Sequence, residues 1–166
     1  MKKLLTAGRV IVLGFVLFAI ACKTGSTSSS ASPSKDKIIA LGGMEDKILY
    51  YVNQHRKEVG RPPLQMLSVA NTEASRHSAN MASRKTGFGH SGFEDRVARI
   101  RQSAGAISAA AENVAYGQLS AKDVVNGWIN SSGHRKNMEG NYTYTGIGVA
   151  KDKNGTIFFT QIFLSK

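Results

Sequence analysis

The chain has 166 residues, enough for one domain of ordinary size and too few for a large multidomain assembly. Its 22 basic residues against 11 acidic residues give a formal net charge of +11, which first points to nucleic acid or an anionic membrane surface as a partner. The single cysteine, Cys22, excludes an intramolecular disulfide and a cysteine-based zinc cluster.

The first 21 residues have the features of a secretory signal peptide. Three basic residues precede an apolar run at 10–21, which is shorter than the roughly 20 residues that a transmembrane helix needs. The segment Ala19-Ile20-Ala21-Cys22 resembles the lipobox of bacterial lipoproteins, in which the cysteine is acylated. We therefore expect residues 1–21 to be a signal peptide and Cys22 to carry palmitate or a related acyl chain. A short membrane anchor is the alternative.

Residues 22–42 are rich in serine and threonine, a composition that cannot bury apolar surface and behaves as a flexible tether. The folded domain is therefore predicted at 43–166, where 16 basic and 10 acidic residues leave a net charge of +6. These charges are scattered along the chain. Because nucleic-acid sites normally need clustered basic residues, we expect no nucleic-acid partner and predict membrane contact through Cys22 instead.

Apolar residues recur at helical spacing in four segments of the domain, which predict helices at 44–59, 68–84, 93–104 and 120–128. Strand patterns follow at 112–117, 145–151 and 156–163, the last two joined by a turn at Asn154-Gly155. Helices followed by strands predict an α+β fold, with about four helices packed on a small antiparallel sheet.

Three residues of this domain are candidates for chemistry. His90 and His134 each follow a glycine in a predicted polar loop, and Glu112 lies between them in a small, apolar segment where an acid is usually paired. Two imidazoles and a carboxylate can bind a divalent metal, transfer protons, or only join loops through hydrogen bonds. The residues leave these alternatives open.

Other prominent side chains of the domain are predicted to be structural. His77 and Trp128 lie on the apolar stripes of their helices and are expected in the core. Five basic side chains could meet lipid headgroups or anionic glycans, but a solvated helix or loop face is the simpler expectation for Arg96, Arg99, Arg101, Arg135 and Lys136.

Five motifs occur in an order that resembles a known family: His90-Ser91 and the segments at 111–117, 125–128, 131–138 and 145–150. Together they resemble the bacterial branch of the CAP superfamily, named for cysteine-rich secretory proteins, antigen 5 and pathogenesis-related 1 proteins. The resemblance covers about residues 44–165. It implies an α-β-α sandwich with a cleft lined by a His/Glu/Glu/His tetrad, which binds a divalent cation in some members.

On this resemblance, His90 corresponds to the first histidine of the tetrad, Glu112 to the first glutamate and His134 to the second histidine. Ser131 stands where the second glutamate belongs, a departure common in the bacterial branch, so the site is one carboxylate short. We therefore expect at most weak binding of a divalent cation such as zinc, with water completing its coordination shell.

The resemblance and the export signal together predict a membrane-tethered lipoprotein of the bacterial cell envelope, at the outer membrane or cell surface. We expect a monomer that binds a lipid, a glycan or a host protein. A metal-assisted hydrolase of peptides or esters, using His90, Glu112 and His134, is the alternative, and a purely structural or adhesive surface protein is a third. Because the fold implies no shared reaction, enzymatic activity is left open, with the balance against it.

Overall fold

The computed structural model describes residues 43–166, so the predicted signal peptide, Cys22 and the tether lie outside the described residues. The described part contains five helices and four strands: α1 (Met44–Glu58), β1 (Gln65–Met66), α2 (Ser68–Ala82), α3 (Phe93–Ala104), β2 (Ala109–Tyr116), α4 (Ala121–Asn130), α5 (Ser132–Met138), β3 (Tyr144–Lys151) and β4 (Ile157–Ser165). Within 43–166, no helix combines the length and the apolar character needed to cross a membrane.

The four strands form one mixed sheet in the order β1-β3-β4-β2. The predicted hairpin is β3 and β4, and β2 pairs antiparallel with the other side of β4. The short strand β1 pairs parallel with β3 over two residues, so the sheet is mixed rather than purely antiparallel. Two residues are too few to show the alternation that marks a strand, which is why the sequence did not predict β1.

Helices cover both faces of this sheet. Phe159 and Phe163 of β4 pack into the hydrophobic cluster of α1, α4 and α5, whereas Ile162 and Leu164 pack into the cluster of α2 and α3. Because neighbouring side chains of a strand point to opposite faces, one strand supplies both cores. The expected α-β-α sandwich is confirmed.

Two glycines of β3 let α2 lie directly on the sheet. A Cβ atom on Gly146 would stand 2.2 Å from the carbonyl carbon of Ala70, and one on Gly148 would stand 2.1 Å from the amide nitrogen of Ser75. The Ser78 hydroxyl donates to the Gly148 carbonyl at 2.9 Å. The motif at 145–150 is therefore a packing motif that fixes α2, and with it His77, above the sheet.

The helix α5 is not predicted from the sequence. The glycine and serines at 131–133 predict a polar loop around His134, but the structure has a helix there that begins after Ser131 and ends at Met138. Met138 is completely buried in the core. A helix this short is not stable by its own propensity, so tertiary packing of Met138 decides its conformation. His134 therefore lies on a helix.

Candidate functional site

Glu112 lies on the edge strand β2 and forms a buried ion pair with Arg96 of α3. Arg96 donates from Nε to Oε2 at 2.9 Å and from Nη2 to Oε1 at 2.8 Å. The two side chains are only 5% and 2% exposed. The expectation that Glu112 is paired is confirmed, but the expectation that Arg96 is solvated is wrong. The helical pattern of α3 does not reveal this pairing, because the carboxylate comes from a strand that is distant along the chain.

His90 contacts the same carboxylate from the loop that precedes α3. Its Nδ1 lies 2.9 Å from Glu112 Oε1. Since an ionised carboxylate only accepts hydrogen bonds, Nδ1 carries the proton and Nε2 is the acceptor when the ring is neutral. Arg96 also donates from Nη1 to the Ser91 carbonyl at 2.8 Å. The arginine therefore orients both the carboxylate and the loop that carries His90.

His77 of α2 is hydrogen-bonded to the same loop. Its Nε2 lies 2.8 Å from the Gly89 carbonyl, and because a carbonyl oxygen can only accept, Nε2 donates. Burial, with a smaller contribution from the Arg96 charge, lowers the pKa of His77. The distance from its Nε2 to Glu112 Oε1 is 3.9 Å, too long for a hydrogen bond. His77 is a core histidine, as its apolar stripe predicts.

His134 approaches from the opposite face of β2. The side chain of Asn113, which follows Glu112 and so points to the other face, donates to the His134 carbonyl at 3.1 Å. Partial burial, followed by the nearby His90 ring, lowers the pKa of His134. The structure thus joins His90 to Glu112 and places His134 near His90. Within residues 43–166, no hydrogen bond links the His134 ring to either of them.

A cleft of about 300 Å³ lies beside His134, between β2 and α4. Its walls are mostly apolar and include Phe88, Val114, Tyr116, Val124 and Trp128. Phe88 and Tyr116 are 52% and 53% exposed and meet edge to face, with ring centroids 4.7 Å apart. The sequence predicts Trp128 as a core residue, which is confirmed, but it does not show the cleft. Residues of β2 and α4, which are separate along the chain, line the cleft together, so only the tertiary structure shows it.

Two buried polar atoms of this cleft have no hydrogen-bond partner among the described residues. They are Nε1 of Trp128, a residue that is 1% exposed, and Oε1 of Gln118. The indole N–H can only donate and the amide oxygen can only accept. Buried polar groups of proteins are nearly always paired, but each of these atoms has almost no accessible surface, so neither is open to the cleft.

A second buried carboxylate, Glu73 on α2, was not singled out in the sequence. It forms ion pairs with Arg76 and with Arg99 of α3, the latter at 3.0 Å from Nη2 to Oε2. The only available signal was an arginine three residues after a glutamate on a helix of small residues. Glu73 joins α2 to α3 and lines no part of the cleft.

The sequence profile of the cysteine-rich secretory protein family, CAP, matches residues 49–163. The chain belongs to the CAP family. The YkwD protein of Bacillus subtilis is 32% identical to it over 150 residues, which are 89% of this chain and 54% of YkwD. This CAP chain therefore spans about half the length of that curated relative.

Solved structures of similar chains have the same fold. An extracellular protein from Bacillus anthracis that contains an SCP domain has a TM-score of 0.61 and 27% identity, over 82% of this chain and 45% of that chain. An outer surface protein of Borrelia burgdorferi has a TM-score of 0.61 and 16% identity, over 81% of this chain and 96% of that chain. The second likeness concerns the fold alone.

The tetrad residues of this CAP domain fit a divalent cation only in part. Among residues 43–166, no three or more His, Cys, Asp or Glu side chains are grouped so as to hold a metal ion. Both oxygens of Glu112 already accept hydrogen bonds from Arg96, so the carboxylate fits an outer partner that orients His90 better than a direct ligand. Weak cation binding, and the metal-assisted hydrolase that depends on it, stay predictions.

Proposed function

We propose that this CAP chain is an exported, membrane-tethered binding module whose cleft takes a lipid or another amphipathic extracellular ligand. The observation that carries the proposal is the cleft between β2 and α4, with its exposed aromatic rim of Phe88 and Tyr116. Exposed aromatic side chains beside a concave apolar surface are typical of a binding site. The signal and tether sequence before residue 43 and the extracellular relative from Bacillus anthracis support export.

The lining of the cleft indicates which ligand chemistry would suit it. About 300 Å³ is at the lower end of the range for small-molecule sites, which suits a single acyl chain or a small ring system. The apolar walls favour a hydrocarbon body. Ser131 and His134 also line the cleft and supply polar groups for an oxygen-bearing end, such as an ester, hydroxyl or carboxylate. The pKa of His134 is lowered, so its ring is neutral near pH 7 and places no charge beside a hydrocarbon ligand.

Trp128 makes the test direct, since it is the one tryptophan of the chain and lines the cleft. A brominated stearate quenches tryptophan only on close contact, so saturable quenching reports binding at this site. Gly127→Leu adds a side chain that projects into the cleft from α4, where no atom lies within 4 Å of the new Cβ. We expect it to weaken binding at least tenfold, which corresponds to about 1.4 kcal/mol.

Gly133→Leu is the matched control, because Gly133 is equally open but lies on α5 outside the cleft lining. It should leave quenching unchanged. If quenching does not saturate, or if both leucine variants weaken it equally, the cleft is not the binding site. Where quenching does saturate, competition by unlabelled oleate or by a peptidoglycan fragment distinguishes a lipid ligand from a cell-wall ligand.

The tether is tested separately through Cys22. We expect the full chain to fractionate with membranes and to incorporate labelled palmitate in a bacterial host, whereas Cys22→Ser should lose the label. A Cys22→Ser chain that still carries label would contradict the acylation of this residue. Failure of this test would leave binding in the cleft intact.

A further inference from the structure

A larger concavity, of about 460 Å³, lies where α2 ends and the β3–β4 hairpin turns. It shares no residue with the lining of the cleft. We propose that this basic groove, defined by Arg84, Lys151, Asp152 and Lys153, is a binding site for a phosphate group. The proposal depends neither on a ligand in the cleft nor on acylation of Cys22.

The groove carries an excess of positive charge, as does a second concavity lined by Arg61, Arg135, Lys136 and Glu139. Three cations, Arg84, Lys151 and Lys153, line the groove against the single carboxylate of Asp152. None of the three cations takes part in an ion pair within residues 43–166. Arg76, Arg96 and Arg99, by comparison, are each paired with a glutamate. The basic groups of the groove therefore remain available for an external anion.

The carboxylate in the groove is already engaged by the backbone. Asp152 Oδ1 accepts hydrogen bonds from the backbone N–H groups of Asn154, at 2.9 Å, and Thr156, at 2.8 Å. These bonds shape the turn between β3 and β4 and place a lysine on each side of Asp152. The acid thus has a structural role that does not require pairing with either lysine.

Arg84 has a backbone conformation that favours glycine. Its φ of 60° makes it the one non-glycine residue with positive φ in the described part of the chain. It follows the C-cap residue Ser83, where the left-handed conformation ends a helix, and the next amide, of Lys85, donates to the Asn80 carbonyl at 2.9 Å. Glycine would adopt this conformation without strain. The chain therefore holds a guanidinium beside the groove at a cost in backbone energy.

These groups match phosphate better than a single carboxylate. The planar guanidinium of Arg84 can pair two oxygens of one phosphate, and the two ammonium groups can neutralise its remaining charge. A carboxylate has only two oxygens and one charge to share among three cations. The same phosphate chemistry can come from an anionic phospholipid headgroup or from phosphate in solution, and the experiment has one arm for each source.

The first arm uses the full chain in zwitterionic detergent micelles, titrated with inorganic phosphate and followed by amide chemical shifts. We expect saturable shifts at the end of α2 and in the hairpin turn. The double variant Lys151→Gln/Lys153→Gln should abolish them. A double variant with the same loss of charge elsewhere, Lys57→Gln/Lys122→Gln, changes two exposed lysines outside the groove and should retain them.

The second arm measures partition of the full chain into phosphatidylglycerol vesicles relative to phosphatidylcholine vesicles. Loss of both groove lysines should lower this ratio about thirtyfold, because each basic residue near an anionic surface contributes about a factor of five. The Lys57/Lys122 control should change it far less. Binding in either arm supports the site and identifies the source of the phosphate. No binding in both arms, or an equal loss in the control, overturns the proposal.

Arg84→Gly separates a binding role from a structural one. Because glycine relieves the left-handed strain, we expect the melting temperature to rise by about 3 °C. Phosphate binding should nevertheless weaken about fivefold as one cation is lost. A variant that is more stable and binds phosphate as tightly as the unaltered chain would exclude Arg84 from the site.

Discussion

Glu112 and Arg96 form the central contact of the candidate site at the scale of single residues. Both are buried, and each is the charge partner of the other. A buried ion pair stabilises a fold little more than well-packed apolar side chains would. Removing one partner is nevertheless strongly destabilising, because the other charge is then buried without a counter-charge. The pair also fixes His90, whose Nδ1 shares Glu112 Oε1.

Glu112→Ala should therefore lower the free energy of unfolding by about 3 kcal/mol, whether or not a cation binds, because Arg96 is left buried without a counter-charge. Urea unfolding measures the change. The double variant Glu112→Leu/Arg96→Met removes both charges of this pair and should lose less than Glu112→Ala alone. An unchanged free energy of unfolding for Glu112→Ala would show that the pair does not stabilise the fold.

His77 predicts a pH dependence of stability. Its pKa in the folded state lies below the unfolded value of about 6.5, so the unfolded chain binds the proton first. The stabilisation from the neutral ring is complete above that value and is lost as the pH falls toward the folded pKa. The free energy of unfolding should thus decrease as the pH is lowered from about 7.5 through the unfolded pKa of about 6.5.

His77→Gln is the variant that tests this, since an amide N–H can still donate to the Gly89 carbonyl but does not titrate. The decrease in unfolding free energy over the same pH interval should be smaller in this variant. Equal decreases in the two proteins would assign the pH dependence to other groups.

Helix α2 and strand β3 show, at the scale of elements, how a sequence motif becomes a contact. The two glycines of the motif at 145–150 let the backbone of α2 lie so close to β3 that no Cβ atom would fit between them. This close packing lets His77 reach the loop of His90. The sequence shows the glycines as part of a family motif. Only the packing of α2 against β3 in the structure shows that these glycines make room for a helix.

Gly148→Ala should accordingly destabilise the domain by at least about 3 kcal/mol, because the new methyl group would overlap the backbone of Ala74 and Ser75. Thermal unfolding of the purified variant measures this. Gly133→Ala is the control: its Cβ meets open space on α5, and a gain of about 0.5 kcal/mol is expected from helix propensity. Similar stability of the two variants would mean that α2 can move away from the sheet.

Arg56 connects distant parts of the molecule as a whole. From the last turn of α1 it donates hydrogen bonds to four backbone carbonyls in the segments that precede β1 and β3, those of Pro62, Met138, Gly140 and Tyr142. It is 1% exposed, and burial followed by the nearby charge of Arg61 lowers its pKa. Its position in a helical pattern gave no sign of this role, because its acceptors are backbone atoms far along the chain.

Arg56→Leu should lower the free energy of unfolding by about 3 kcal/mol, since several carbonyls lose a charged donor at once. Arg56→Lys keeps the charge but has one nitrogen in place of three, so it should rescue only part of the loss. Chemical denaturation compares the three proteins. Full rescue by lysine would show that charge, and not the geometry of the guanidinium, holds these segments together.

The sequence by itself determined the helices α1 to α4, the β3–β4 hairpin, the α+β class and, through its motifs, the family. Those features depend on periodicity, turn residues and residue types, all of which are local. The contacts that define the sites are not local. The burial of Arg96, the helix that carries His134, the cleft at Trp128 and the groove at Arg84 each depend on two elements meeting. Only the tertiary structure decides them, because a side chain is buried, paired or left free by neighbours that are distant along the chain.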